Sequence, residues 1–133
     1  MAQLDEKKAE FLDNPFVGIA TTLREDGSPH STVVWVDRVD GRVLFNTARG
    51  RAKPRHLERD PRVSVVVVDP QNAYRWVSIS GRAELSEEGA DAQIDRLAKK
   101  YLGKDEYPWR NPEEQRVKVR IRPEKVDASG FDD

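Results

Sequence analysis

Apolar residues alternate with polar ones over much of this 133-residue chain, and turn signals separate the alternating runs. Residues 16–24 and 30–38 are mostly apolar or β-favouring, with Glu25-Asp26-Gly27-Ser28-Pro29 between them. Asp-Gly between two such runs predicts a hairpin. Asp40-Gly41 repeats the signal before residues 42–47, where Val43 and Phe45 alternate with Leu44 and Asn46, so the three runs predict a meander. Residues 63–68 are nearly continuous in valine, as expected of a central strand covered on both faces. Residues 74–85 predict another long strand, bulged or bent at Gly81. Val117, Val119 and Ile121 predict a final, half-exposed one, to which the tail from Pro123 adds only Val126.

Three stretches carry helical spacing instead. Leu4, Lys8, Phe11 and Leu12 predict a short amphipathic helix that ends before Asn14-Pro15 and plugs one end of the sheet. Residues 52–60 predict a basic helix; Pro54 is tolerable only in a first turn, so the helix must start close to Arg51. Ser86-Glu87-Glu88 has the chemistry of a helix start, and Ala90, Ile94, Leu97, Ala98 and Tyr101 follow the stripe until Leu102-Gly103 closes it. Residues 104–115 predict a polar loop. No repeat or linker interrupts the chain, so residues 1–133 are expected to form one domain. The expected fold is mainly β: about six antiparallel strands in a closed or partly closed barrel, with helices at its ends, because an open sheet would leave its edges unprotected.

Composition narrows the chemistry. Charged residues make up 35% of the chain, but the net charge is only −1, so no global field draws it to nucleic acid or an anionic membrane. Any anion binding must be local. The absence of cysteine excludes disulfides, thiolate nucleophiles and cysteine–metal sites. The two histidines, His30 and His56, do not make a metal cluster, and Ser28 and Ser31 beside His30 are better read as turn and strand-edge residues than as nucleophiles. No apolar run reaches membrane-spanning length, and the charged segment 1–8 lacks the core of a signal peptide. The expectation is a soluble, cytoplasmic protein that binds a small molecule.

The stretch Thr47-Ala48-Arg49-Gly50-Arg51-Ala52-Lys53-Pro54-Arg55-His56-Leu57 marks where a β pattern stops and the basic helix begins. A helix start presents free N–H groups and partial positive charge, to which Arg51 and Lys53 add full charges; a phosphate is the natural guest. Six cations lie nearby, but Arg55 and Arg59 are expected to be solvated or paired and Leu57 to anchor the core. His56 could donate to the same anion or pack beneath the helix. Among the aromatic residues, Tyr74-Arg75-Trp76 follows a turn, where a ring and a guanidinium could project over a planar ligand.

Taken in order, Gly-Ile-Ala-Thr-Thr-Leu-Arg-Glu-Asp-Gly-Ser-Pro-His, Val33-Val34-Trp35-Val36, Asn46-Thr47-Ala48-Arg49-Gly50-Arg51-Ala52-Lys53 and Tyr74-Arg75-Trp76 with Gly81-Arg82-Ala83 resemble a known set. The set is that of the pyridoxamine-phosphate-oxidase-like flavin and deazaflavin oxidoreductases, specifically their deazaflavin-dependent branch. The resemblance implies a six-stranded split barrel of the FMN-binding type that homodimerises, with cofactor grooves at the dimer interface. It further implies coenzyme F420 as cofactor, with FMN the alternative, and hydride transfer to an unsaturated organic acceptor; a non-catalytic F420 carrier would use the same residues. By position, Thr47, Arg51, Ala52 and Lys53 match the phosphate-binding segment, and His56 stands where many relatives have asparagine. Val33, Val34 and Trp35 match the strand along the ring, and Tyr74, Arg75 and Trp76 would come from the other subunit. Because the ring itself carries the hydride, the missing catalytic motifs are expected.

Overall fold

The structure, a computed structural model, describes residues 4–131; residues 1–3 of the charged N-terminal segment lie outside the described residues, as do 132 and 133. Its seven strands are β1 (Gly18–Leu23), β2 (Pro29–Val34), β3 (Asp37–Val39), β4 (Arg42–Ala48), β5 (Arg62–Asp69), β6 (Asn72–Ser86) and β7 (Arg116–Ser129). Among the described residues three helices accompany them: α1 (Glu6–Phe11), α2 (Ala52–Arg59) and α3 (Ala90–Leu102). The strands form one antiparallel sheet in the order β2-β1-β5-β6-β7-β4-β3, curled into a split barrel.

Seven strands replace the expected six, because the run 30–38 is two strands rather than one. β2 pairs with β1, β3 pairs with β4, and these pairs lie at opposite edges of the sheet. The expected meander is therefore two separate hairpins. Only Trp35 and Val36 join the edges, which requires the sheet to curl. The end of α3 holds this crossing: the Tyr101 hydroxyl accepts from Val36 N–H at 2.9 Å, and Lys100 Nζ donates to the carbonyls of Val36 and Leu12 at 2.6 and 2.7 Å. Burial pushes the Tyr101 phenol up to about 12, so it remains a neutral hydroxyl at physiological pH.

Alternation explains the core. Val43 and Phe45 of β4, Val65 and Val67 of β5, Val77 and Ile79 of β6, and Val119 and Ile121 of β7 point into the barrel. Phe11 and Leu12, at the end of α1, plug one end and Leu57 of α2 packs from the side. β5 does run between two partners, but Val66 and Val68 are exposed, so within the chain only one of its faces is covered. β7 also exceeds expectation, continuing through Pro123 to Ser129. A register shift at Ser80 and Gly81 accommodates the proline, and a Cβ at Gly81 would lie 2.0 Å from the Arg122 carbonyl oxygen. α3 begins at Ala90 rather than Ser86, whose hydroxyl instead accepts from Glu88 N–H. It lies on the face of β4 opposite Phe45, tied there by Asn46, which donates to the Ala90 carbonyl at 2.8 Å. No helix among the described residues is long and apolar enough to cross a membrane.

Candidate functional site

Where β2 and β4 end, the chain leaves a cavity of about 200 Å³ that α2, α3 and the 103–115 loop complete. Val33, Val34 and Trp35 form one wall; Thr47, Arg51 and Lys53 another; Ile94 and Leu97 of α3 a third. Asn46, Tyr107, Trp109 and Arg116 close the lining, which holds three cations and no carboxylate. Such a lining favours an anionic guest.

Two polar groups in it are short of partners. Thr47 is 2% exposed, and its buried Oγ1 has no hydrogen-bond partner among the described residues. A buried hydroxyl left unpaired costs about 1 to 3 kcal/mol, which a bound acceptor would recover. Half-buried Lys53 donates to Thr32 Oγ1 at 2.9 Å, and among the described residues no carboxylate pairs with it. Burial, then the nearby Arg51, pulls its ammonium below the usual lysine range. The first turn of α2 is likewise open: its N-cap, Arg51, makes no side-chain hydrogen bond to the helix N–H groups.

The other cations are braced. Arg51 Nη2 donates to Glu114 Oε2 at 2.7 Å, and Glu114 Oε1 accepts from Arg116 Nη2 at 3.0 Å. Arg116, 6% exposed, also donates to Asn46 Oδ1 at 3.2 Å and lies 4.9 Å above the Tyr107 ring. Asn46 donates in turn to Gln93 Oε1, and Gln93 to Asp37 Oδ2, so the polar chain reaches the far edge of the sheet. An aromatic series runs beside it. Trp35 stacks on Tyr101 at 5.4 Å, Tyr107 meets Trp35 edge-on, and Trp109 meets Tyr107 edge-on.

The structure brings Val33, Val34, Trp35, Thr47, Arg51 and Lys53 to one cavity and leaves the other candidates elsewhere. Ala52 opens α2 without lining the cavity. His56, 8% exposed, turns inward: its Nδ1 is 2.8 Å from Thr22 Oγ1 and its ring meets His30 edge-on at 5.1 Å. Burial, and then the charges of His30, Arg59, Arg24 and Arg55, keep the imidazole below the usual histidine range. Tyr74, 82% exposed, and Trp76 share the outer face of β6, whereas the Arg75 guanidinium lies 4.4 and 5.0 Å from the rings of Phe131 and Phe11. None of these three lines the cavity of its own chain. Tyr107 and Trp109 escape a reading of the sequence because their loop looks solvated, an aromatic pair inside it being the one signal, and Arg116 because it heads β7 among alternating charged residues.

A curled antiparallel sheet with a cavity at its seam defines a split-barrel protein. The chain belongs to the pyridoxamine 5'-phosphate oxidase family, whose model matches residues 4–130. Over 75 residues it is 33% identical to a pyridoxine/pyridoxamine 5'-phosphate oxidase of Cronobacter sakazakii, a match covering 55% of this chain and 34% of that protein. The matched region thus spans about a third of that relative. Among solved structures, an F420 reductase superposes with a TM-score of 0.80 at 26% identity, covering 93% of this chain and 98% of its own. A conserved hypothetical protein of Mycobacterium tuberculosis follows with a TM-score of 0.74 at 28% identity, covering 95% and 84%.

Proposed function

We propose that this chain is an oxidoreductase that binds coenzyme F420 in the cavity and reduces an unsaturated organic acceptor. The observation that carries the reading is the pairing of a partnerless, buried Thr47 hydroxyl with a carboxylate-free Lys53 in one cavity wall. Both groups fit a phosphate, which accepts from Thr47, Lys53, Arg51 and the open N–H groups of Ala52 and Lys53 at the start of α2. Val33, Val34 and Trp35 then lie along the ring. When bound, the coenzyme supplies the hydride-carrying ring; the chain's residues hold it, orient it and exclude water. Similarity to an F420 reductase along nearly the whole chain favours F420. FMN is the second reading, since it joins a planar ring to one phosphate and the cavity offers one open anion position.

The acting unit in this proposal is a homodimer. Ile19 pairs across the sheet with Val33 on one side and Val66 on the other, so exposed apolar side chains form a row that Val68 and Tyr74 extend. A second copy would cover this row. Val33, 63% exposed, belongs to both the row and the cavity wall, so a copy seated there brings its Tyr74 and Trp76 toward the ring. Arg75 and His56 brace the fold.

Titration of the purified protein with F420 and FMN, with light scattering alongside, tests the reading. The expected result is saturable F420 binding, tighter than FMN, by a particle of twice 15.2 kDa. Tighter FMN binding would move the assignment to the second reading; a monomer with full affinity would remove the shared site. Turnover of the reduced coenzyme with an acceptor separates an enzyme from a carrier.

A further inference from the structure

Among the described residues, Glu114 is the only carboxylate paired with a cavity-lining cation, and it pairs with two. It does not line that cavity itself. It lines an adjoining one of about 300 Å³, which shares Ile94, Tyr107 and Arg116 with the first. From there its two oxygens are divided, Oε2 to Arg51 at 2.7 Å and Oε1 to Arg116 at 3.0 Å. A carboxylate between two guanidiniums makes the contacts that a phosphate or carboxylate ligand would make with the same pair.

The two arginines differ in freedom. Arg116 is buried and held by Asn46 and the Tyr107 ring, whereas the Arg51 side chain is half exposed and keeps only Glu114 as a side-chain partner among the described residues. The hydrogen bond from Arg51 keeps the Glu114 carboxyl below the usual range, so it is charged at neutral pH.

We propose that Glu114 is a built-in competitor for the ligand's anion: it occupies Arg51 and Arg116 until an incoming phosphate or carboxylate displaces it, and so sets the affinity and selectivity of the cavity. The proposal rests on the anion-binding reading given above. Its consequence is a sign. An anion that takes Arg51 Nη2 must displace Glu114 from the 2.7 Å contact, and one that takes the other N–H groups of Arg51 must sit near the carboxylate's negative charge, so neutralising Glu114 should tighten binding. A brace that merely positions the arginines would act oppositely, and its removal would weaken binding.

Glu114→Gln, studied by calorimetry and thermal unfolding with inorganic phosphate, F420 and FMN in turn, separates the two roles. The expected result is roughly three- to tenfold tighter binding of phosphate and of the coenzyme. The gain should vanish when Arg51→Ala is added. Glu114→Asp, too short to span both guanidiniums, should move affinity the same way by less and covers the case in which the amide variant does not fold. Unchanged or weaker phosphate binding in the variants overturns the competitor role, and the coenzyme reading survives if the wild type still binds F420 or FMN. Tighter phosphate binding with no coenzyme bound by either protein leaves the competitor standing and removes the coenzyme reading. No binding of any of the three overturns both.

Discussion

Lys53 and His56 stand one turn apart on α2, and burial is the first cause lowering the pKa of each, yet their surroundings differ in kind. Lys53 faces the cavity, where among the described residues its partner is a neutral hydroxyl and the neighbouring Thr47 hydroxyl has none. His56 faces the barrel wall, where Thr22 satisfies its Nδ1 and His30 packs against its ring. The difference teaches how to separate a binding residue from a supporting one on a single basic helix. In the proposed function, a charge left short of counter-charge is the one a ligand would complete, whereas a titratable group kept neutral and bonded serves the fold.

The largest expected effect breaks the first half of the comparison. Lys53→Ala should weaken F420 binding roughly ten- to a hundredfold, while the ligand-free protein loses no stability because a half-buried charge has been removed. Fluorescence titration and thermal unfolding of the same sample measure both; a loss of stability without a loss of affinity would reverse the assignment. His56→Ala should do the converse. It strands Thr22 Oγ1 and opens a gap beneath α2, costing about 2 kcal/mol in urea unfolding and leaving the affinity of the folded protein nearly unchanged.

The smallest effect is the pH dependence of stability. Because the folded pKa of His56 lies below 6.5, the unfolded chain binds a proton near that pH that the native chain does not. Stability should therefore be complete above about 6.5, fall as the pH drops through it, and level off once the folded pKa is passed. Replacing His56 with Gln should flatten that limb, and an unaltered limb would assign the slope to other groups.

Local patterns made much of this fold legible, and partner choice made the rest illegible. Asp26-Gly27 marks the β1–β2 hairpin, Pro54 places the start of α2, and Gly81 marks the register shift in β6, because each is a statement about a few neighbouring residues. Nothing local in residues 30–38 says that Val34 and Asp37 pair at opposite edges of the sheet. Pro123 misleads for a related reason: proline ends most strands, but here the shift opposite Gly81 absorbs it. Within the site, Thr47, Arg51 and Lys53 follow from the helix start and its charges, and Val33 to Trp35 from the resemblance. Arg116 and Glu114 require the structure, since burial of an arginine and sharing of a carboxylate are tertiary facts.

The placement of the tryptophans gives the protein separate optical reporters. Trp35 lies flat against Tyr101 in the cavity wall, exposed Trp109 lines the same cavity from the loop, and Trp76 lies across from Val68 on the outer face. With Trp35 and Trp109 replaced by phenylalanine, the remaining emission reports the outer face, which the proposed second copy would cover; with Trp76 replaced, it reports the cavity. Quenching of Trp109 by a soluble quencher measures access to the cavity, so the cavity and the outer face can be followed by different side chains without attaching a dye.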